Sequence, residues 1–206
     1  LALETGHEYI KTNYADLLGA LEMPKLENPQ PKLFMLGNEA VALGALTAGA
    51  KFMSAYPITP SSEIMEYMVK HAAEGGVMLQ TEDEISACTM AIGAAYAGAR
   101  AFTATAGPGL SLMAEAIGLA EMTETPLVVV DTQRGGPSTG LPTKHEQSDL
   151  MATIYNTHGD TAKIVISPSS IEESFYDTFE AFNLAEEYQC PVIVLSDLQL
   201  SLGKQS

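Results

Sequence analysis

Four polar clusters in this chain carry the residue types of a ligand site. Tyr56-Pro57-Ile58-Thr59-Pro60-Ser61-Ser62 puts a hydroxyl on a stiffened turn. Its two prolines fix φ and push the residues before them, Tyr56 and Thr59, towards extended geometry, which leaves the Thr59 hydroxyl available to a ligand. Ser61 and Ser62 are then expected to cap the next helix. Thr81-Glu82-Asp83-Glu84 sets three carboxylates at the head of a helical pattern. Acids there answer the helix dipole, worth about 0.3–1 kcal/mol each, or one of them turns across to bond a ring nitrogen. Thr105-Ala106-Gly107-Pro108-Gly109 reads as a plain tight turn or as a backbone cradle. It has neither the lysine of a phosphate loop nor GxGxxG spacing. Arg134 leads into Gly135-Gly136-Pro137-Ser138-Thr139-Gly140, where a guanidinium fork suits a carboxylate. His145-Glu146-Gln147 and Asp149 continue that loop, either as solvated polar residues or as an acid–base pair. No Ser/His/Asp order and no metal-ligand spacing stands out, so hydrolase and metalloenzyme chemistry find little support.

These clusters need strands and helices to hold them. Short apolar runs predict strands at 33–36, 51–55, 77–80, 101–105, 126–130, 163–166 and 191–195. Helical patterns fall at 40–49, 62–73 (apolar Ile64, Met65, Met68 and Val69), 84–98, 109–122 and 171–187. Buried β-branched runs separated by helices predict an α/β fold, doubly wound, with a mainly parallel sheet and helices on both faces. The polar clusters, with Gly37-Asn38, then share the carboxyl rim of the sheet, where such folds bind ligands. Residues 1–32 differ in character. Leu17, Leu18 and Leu21 suggest a short helix, and the Pro-, Asn- and Gln-rich stretch 23–32 reads as a linker from a preceding domain or as an N-terminal arm. Residues 33–206 form the domain proper. The chain starts at Leu1, as expected of a piece of something longer.

Composition narrows the partners. Hydrophobic residues make up 46% and charged residues 17%, which describes a well-buried globular chain. A net charge of −16 argues against nucleic acid and anionic membrane. No apolar run reaches the roughly 18 residues of a membrane span. Cys88 and Cys190 lie far apart in apolar surroundings and read as reduced core thiols of a cytoplasmic protein. Arg100 and Arg134 are the only arginines, so a cation at a strand end is conspicuous.

Read together, Tyr56-Pro-Ile-Thr-Pro-Ser-Ser, Gln80-Thr-Glu-Asp-Glu-Ile-Ser-Ala, Phe102-Thr-Ala-Thr-Ala-Gly-Pro-Gly and Gln133-Arg-Gly-Gly-Pro-Ser-Thr-Gly-Leu-Pro-Thr closely resemble the α subunit of 2-oxoacid:ferredoxin oxidoreductases. The resemblance covers roughly residues 33–201, in order, and is to the domain that binds the pyrimidine end of thiamine diphosphate. The Ser-Thr-Gly-Leu-Pro-Thr loop is most similar to 2-oxoglutarate-type members. The resemblance implies that Glu84, followed in its helix by Ala91, Gly93 and Gly98, bonds N1′ of the aminopyrimidine and promotes proton loss from the thiazolium. Glu82 is the alternative for that role. It also implies that Tyr56, Pro57, Ile58 and Gly107 help seat the cofactor, and that Thr59 and Arg134 contact the 2-oxoacid. Ser138 and Thr139 are placed to tune which side chain is admitted.

The family's Gly-Asp-Gly motif for diphosphate and magnesium is absent here, as are iron–sulfur ligands. The resemblance assigns both to a β subunit, so this domain is expected to hold half a cofactor site and to act only in an oligomer. Its other implied partners are a γ domain or subunit, ferredoxin, coenzyme A and the 2-oxoacid. Pyruvate and branched-chain 2-oxoacids are alternative substrates. From other classes, a nucleotide-binding module using Gly107 to Gly109 and a structural domain dimerising through the Ala/Gly-rich helix remain as alternative readings.

Overall fold

The computed structural model describes residues 1–206 except 19–23, 26, 28 and 73–75. The chain divides into two compact units, Leu1–Leu33 and Phe34–Ser206. In the first, helix α1 (Ala2–Asn13) carries Glu4 in its first turn and Lys11 in its last, the order that suits the helix dipole. The helix expected around Leu17, Leu18 and Leu21 is a single 3₁₀ turn, Ala15–Leu17, and Leu21 lies outside the described residues. The stretch 23–32 also lies partly outside them.

The second unit is built on a six-stranded parallel sheet in the order β3-β2-β4-β5-β7-β6. The strands are β2 (Phe52–Ala55), β3 (Val77–Gln80), β4 (Ala101–Thr105), β5 (Leu127–Gln133), β6 (Ile164–Ile166) and β7 (Pro191–Asp197). β5 and β7 are buried at every position, as inner strands covered on both faces must be. Side chains alternate between two cores. Val128 and Val130 face one core with Phe102, Val192, Val194 and helices α2 (Gly37–Thr47), α3 (Ser62–His71) and α8 (Ile171–Tyr188). Leu127 and Val129 face the other with Ile193 and helices α4 (Glu84–Tyr96), α5 (Gly107–Leu112) and α6 (Ala114–Met122). By that alternation Thr103, Thr105 and Asp131 fall on the α4–α5–α6 face, and Thr105 is the register partner of Asp131.

Several elements differ from the sequence expectation. The run at 33–36 is not a strand of the parallel sheet. Met35–Leu36 (β1) pairs antiparallel with Lys204–Gln205 (β8) in a separate ribbon, and α2 begins directly at Gly37. The helix expected over 109–122 is broken at Met113 into α5 and α6. Helices α7 (Leu150–Tyr155) and α9 (Leu198–Leu202) went unforeseen, being too short to show a period. Val69 is 68% exposed, outside the buried stripe of Ile64, Met65 and Met68. Ser61 occupies the N-cap of α3 but does not cap it with its side chain: its hydroxyl donates to the Ile58 carbonyl at 3.0 Å and tightens the turn instead. Both cysteines are buried free thiols, and burial pushes Cys88 up to about 12. Among the described residues no helix is long and apolar enough to cross a membrane.

The strand order reverses between β2 and β4: the chain leaves β2 for the edge strand β3, then returns through α4 to β4. Loops leaving the carboxyl ends of those two strands therefore diverge and open a crevice. Tyr56 to Ser61 leaves β2, and Ala106 to Gly109 leaves β4.

Candidate functional site at the carboxyl rim

The three acids ahead of α4 divide their tasks. Asp83 is the N-cap, its carboxylate accepting the Ser86 N–H at 2.7 Å. That bond holds its carboxyl below the ordinary range. Glu82 is exposed. Glu84 is 6% exposed, and its carboxylate accepts no hydrogen bond from the described residues. Its side chain lies against the next helix: a Cβ on Gly109 would stand 2.7 Å from Glu84 Cγ and 3.0 Å from Glu84 Oε1, and would also strike Thr105 Oγ1. Only a bare Cα at Gly109 lets α5 approach the carboxyl group this closely.

On the other side of the rim, Arg134 is 5% exposed and ties two loops together. Its Nη1 donates to the Thr59 carbonyl at 2.6 Å and its Nη2 to the Thr139 carbonyl at 2.8 Å. Its Nε is buried with no partner among the described residues. Arg134 is thus a clamp inside the rim rather than a surface arginine. The Thr59 hydroxyl, on the exposed turn, makes no hydrogen bond among the described residues. Asn38, fully buried, fixes the same turn from behind by donating to the Pro60 carbonyl at 2.5 Å and to Glu63 at 3.1 Å. Tyr56 and Pro57 are exposed and Ile58 is half-buried on this turn.

Arg134 also lines a cavity of about 680 Å³ with Gly107, Ser111, Ser138, Thr139 and Asp149. Ser138 sits at φ 58°, in the left-handed region that costs a non-glycine residue about 1–2 kcal/mol. Gly140 follows at φ 61°, where a Cβ would strike the Gly135 carbonyl. Strain of this kind persists where the surroundings over-determine a loop, commonly at ligand sites. Glu146 accepts the Gly136 N–H at 3.0 Å, and Gln133 accepts the Asp149 N–H at 2.9 Å, so the loop is pinned at both ends. His145 does not pair with Glu146. Its Nε2 lies 3.3 Å from Asp197, which also accepts from Gln147 at 2.6 Å. Burial pushes the Asp197 carboxyl up, but hydrogen bonds from Leu200 and Gln147 and the His145 ring bring it below its ordinary value. Arg100 stands away from the rim, bonded to Glu186 at 2.9 Å and to the Ala48 carbonyl at 2.6 Å. Among the described residues no cluster of three or more His, Cys, Asp or Glu could hold a metal ion.

Thus Thr59, Arg134 and Thr139 are joined by hydrogen bonds, and Gly107 and Ser138 share the cavity of Arg134 and Thr139, which Thr59 does not line. Glu84, Tyr56, Pro57 and Ile58 lie on neighbouring loops of the rim without lining it. Asn38 and Gln147, on the rim by sequence, and Gln133 carry no assigned role there, because amides carry no charge signature and their partners are distant in sequence.

Asp131 heads the rim stretch 131–140, and nothing in the sequence marks it as buried. It continues the apolar strand β5 and is fully buried, with neither oxygen bonded among the described residues. Burial pushes its carboxyl well above the ordinary range, and the charge of Asp149 adds to this. Because the folded value is the raised one, the native state takes up a proton that the unfolded chain lacks once the pH passes about 4, and stability falls as pH rises from there. Asp131→Asn removes that dependence. Its melting temperature is expected to exceed the wild type's by a margin that widens from pH 4 to pH 8, about 2–4 °C per kcal/mol relieved. A constant margin across a thermal-unfolding pH series would show that Asp131 ionises freely in the fold.

A doubly wound parallel sheet with a buried carboxylate, unbonded among the described residues, at its carboxyl rim is an open α/β ligand-binding fold. Comparison with known proteins narrows this. A family model described as pyruvate flavodoxin/ferredoxin oxidoreductase, thiamine diphosphate-binding, matches residues 43–201, and the chain belongs to that family. The 2-oxoglutarate synthase subunit KorA of Methanothermobacter marburgensis is 57% identical over 165 residues, covering 80% of this chain and 44% of the relative. The 2-oxoglutarate oxidoreductase subunit KorA of Mycobacterium tuberculosis is 43% identical over 211 residues, covering 100% of this chain and 32% of the relative. A solved 2-oxoglutarate:ferredoxin oxidoreductase from Magnetococcus marinus, with 2-oxoglutarate, coenzyme A and succinyl-CoA bound, superposes with a TM-score of 0.85 at 49% identity. It covers 93% of this chain and 35% of that one. The chain therefore spans less than half the length of these relatives.

Proposed function

We propose that this chain is the pyrimidine-binding domain of a 2-oxoacid:ferredoxin oxidoreductase α subunit, and that the assembled enzyme converts a 2-oxoacid, with 2-oxoglutarate favoured, to its acyl-CoA. Carbon dioxide is released and the electrons pass to ferredoxin. The observation that carries the reading is Glu84: a carboxyl group buried at a helix head, with no hydrogen bond among the described residues, facing a glycine that leaves it uncovered. Such an acceptor is suited to a ring nitrogen of a flat heterocycle entering the crevice between β2 and β4. Thiamine diphosphate, when bound, supplies the carbon nucleophile and electron sink that decarboxylation of a 2-oxoacid requires.

In this assignment Glu84 holds or moves the proton at that nitrogen, and Tyr56, Pro57, Ile58 and Gly107 shape the walls of its seat. Arg134 fixes the Thr59 turn and the Ser138–Thr139 loop in one arrangement while keeping N–H groups for the substrate carboxylate. Thr59 offers its hydroxyl, and Ser138 and Thr139 border the space for the substrate side chain. The β subunit supplies the diphosphate and magnesium site and the iron–sulfur cluster, and a γ domain or subunit completes the oligomer. The 2-oxoglutarate preference is supported by relatives at 57% and 43% identity that are named for 2-oxoglutarate.

Calorimetric titration of thiamine diphosphate with magnesium tests the half-site. Binding is expected when the α chain is mixed with its β subunit and is not expected with the α chain alone. Equal affinity for the isolated α chain, or none for the assembled complex, refutes the reading. Turnover of 2-oxoglutarate against pyruvate by the complex then tests the substrate preference.

A further inference from the structure

The cavity beside Arg134 poses an electrostatic problem. Its one cation already spends two N–H groups on the Thr59 and Thr139 carbonyls, and its remaining charged lining is two carboxylates, Glu146 and Asp149. Glu146 is held by the Gly136 N–H. Asp149 is different: its Oδ2 is buried without a partner among the described residues, and its carboxyl group lies on the bare Cα of Gly107, 2.6 Å from where a Cβ would stand. Asp131 on β5, fully buried with neither oxygen bonded among the described residues, holds its own proton and so adds no charge to Asp149. A carboxylate with a buried, unbonded oxygen and a second carboxylate, Glu146, lining the same cavity ionises at a cost that a proton relieves.

We propose that Asp149 binds the anionic substrate by taking up a proton, so that the 2-oxoacid and a proton enter the cavity together. Asp149 carboxylate gains one proton from solvent, and the resulting acid donates its O–H to an anionic oxygen of the substrate. No other bond changes. The inference rests on the reading that this cavity admits a 2-oxoacid. The direction of the titration agrees: burial pushes Asp149 up and the Glu146 charge adds, against a lowering hydrogen bond from Ser148. The titratable and charged groups around Asp149 are Asp131 on β5, Glu146 on its own loop and Arg134 across the cavity. His145 of the same loop is turned to Asp197.

Steady-state kinetics of the assembled enzyme with 2-oxoglutarate test this. Between the pH at which Asp149 titrates in the free enzyme and its higher value beside the anion, KM is expected to rise by up to about tenfold per pH unit, with kcat following a separate profile. Asp149→Asn, which offers an N–H donor at every pH, should hold KM low and nearly flat over that range. Asp149→Ala, which offers none, should hold it high and flat. A flat wild-type KM on an active enzyme, or a slope that survives in Asp149→Asn, overturns the inference and leaves the functional reading standing. An assembled enzyme that turns over no 2-oxoacid overturns both.

Discussion

Glu84→Gln in the assembled enzyme is expected to lower turnover by roughly 10²–10⁴-fold, the usual scale for removing a positioned acid–base group. Complex formation and melting temperature should stay close to wild type. The side chain is buried, yet its carboxylate makes no bond among the described residues, so a neutral amide of the same shape leaves no described group unpaired. Glu82→Gln is the matched control: that residue is exposed, and its replacement should change turnover by less than about threefold, as surface substitutions away from special features do. Asp83 serves differently again, since its loss uncaps α4 and acts through stability. Turnover kinetics of the two glutamine variants separate the assignments. If Glu82→Gln collapses activity and Glu84→Gln does not, the acid has been misassigned. If neither matters while assembly holds, the domain is structural.

Arg134→Met is expected to damage both stability and substrate affinity. The guanidinium donates charge-assisted bonds to the Thr59 and Thr139 carbonyls from a site only 5% exposed. Removing it strands those acceptors at about 1–3 kcal/mol each. A net loss of about 2–4 kcal/mol lowers the melting temperature by roughly 2–4 °C per kcal/mol in a domain of this size. It also frees the Thr59 turn from the Ser138–Thr139 loop, and a misplacement on the order of 1 Å at such a site can cost about 100-fold in rate. KM for 2-oxoglutarate should therefore rise by about 10–100-fold. Arg134→Lys should recover little, because an ammonium on a flexible stem cannot span two carbonyls as a planar fork does. Wild-type stability and KM in the lysine variant would mean that charge alone matters there and that the clamp is incidental.

Much of this protein was determined by short-range chemistry. Leu127 to Val130 and Pro191 to Leu195 are strands because β-branched runs of that length bury well on both faces, and helices must then cover them. The two prolines around Thr59 specify a stiff turn, and a glutamate at a helix head is legible as a candidate acid. Tertiary structure decided which members of those patterns matter. Sequence spacing treats Glu82, Asp83 and Glu84 alike. Only the approach of α5 at Gly109 buries one, leaves one to cap and exposes the third.

The partners of Arg134 at Thr59, 75 residues away, and the insertion of β7 between β5 and β6 are non-local, and no local period encodes them. Asp131 shows the limit most sharply. In the sequence it is one more acid in a chain of net charge −16. In the fold it is shut off from solvent with no partner among the described residues, and burial, helped by the charge of Asp149, turns an ordinary carboxylate into a group that holds its proton.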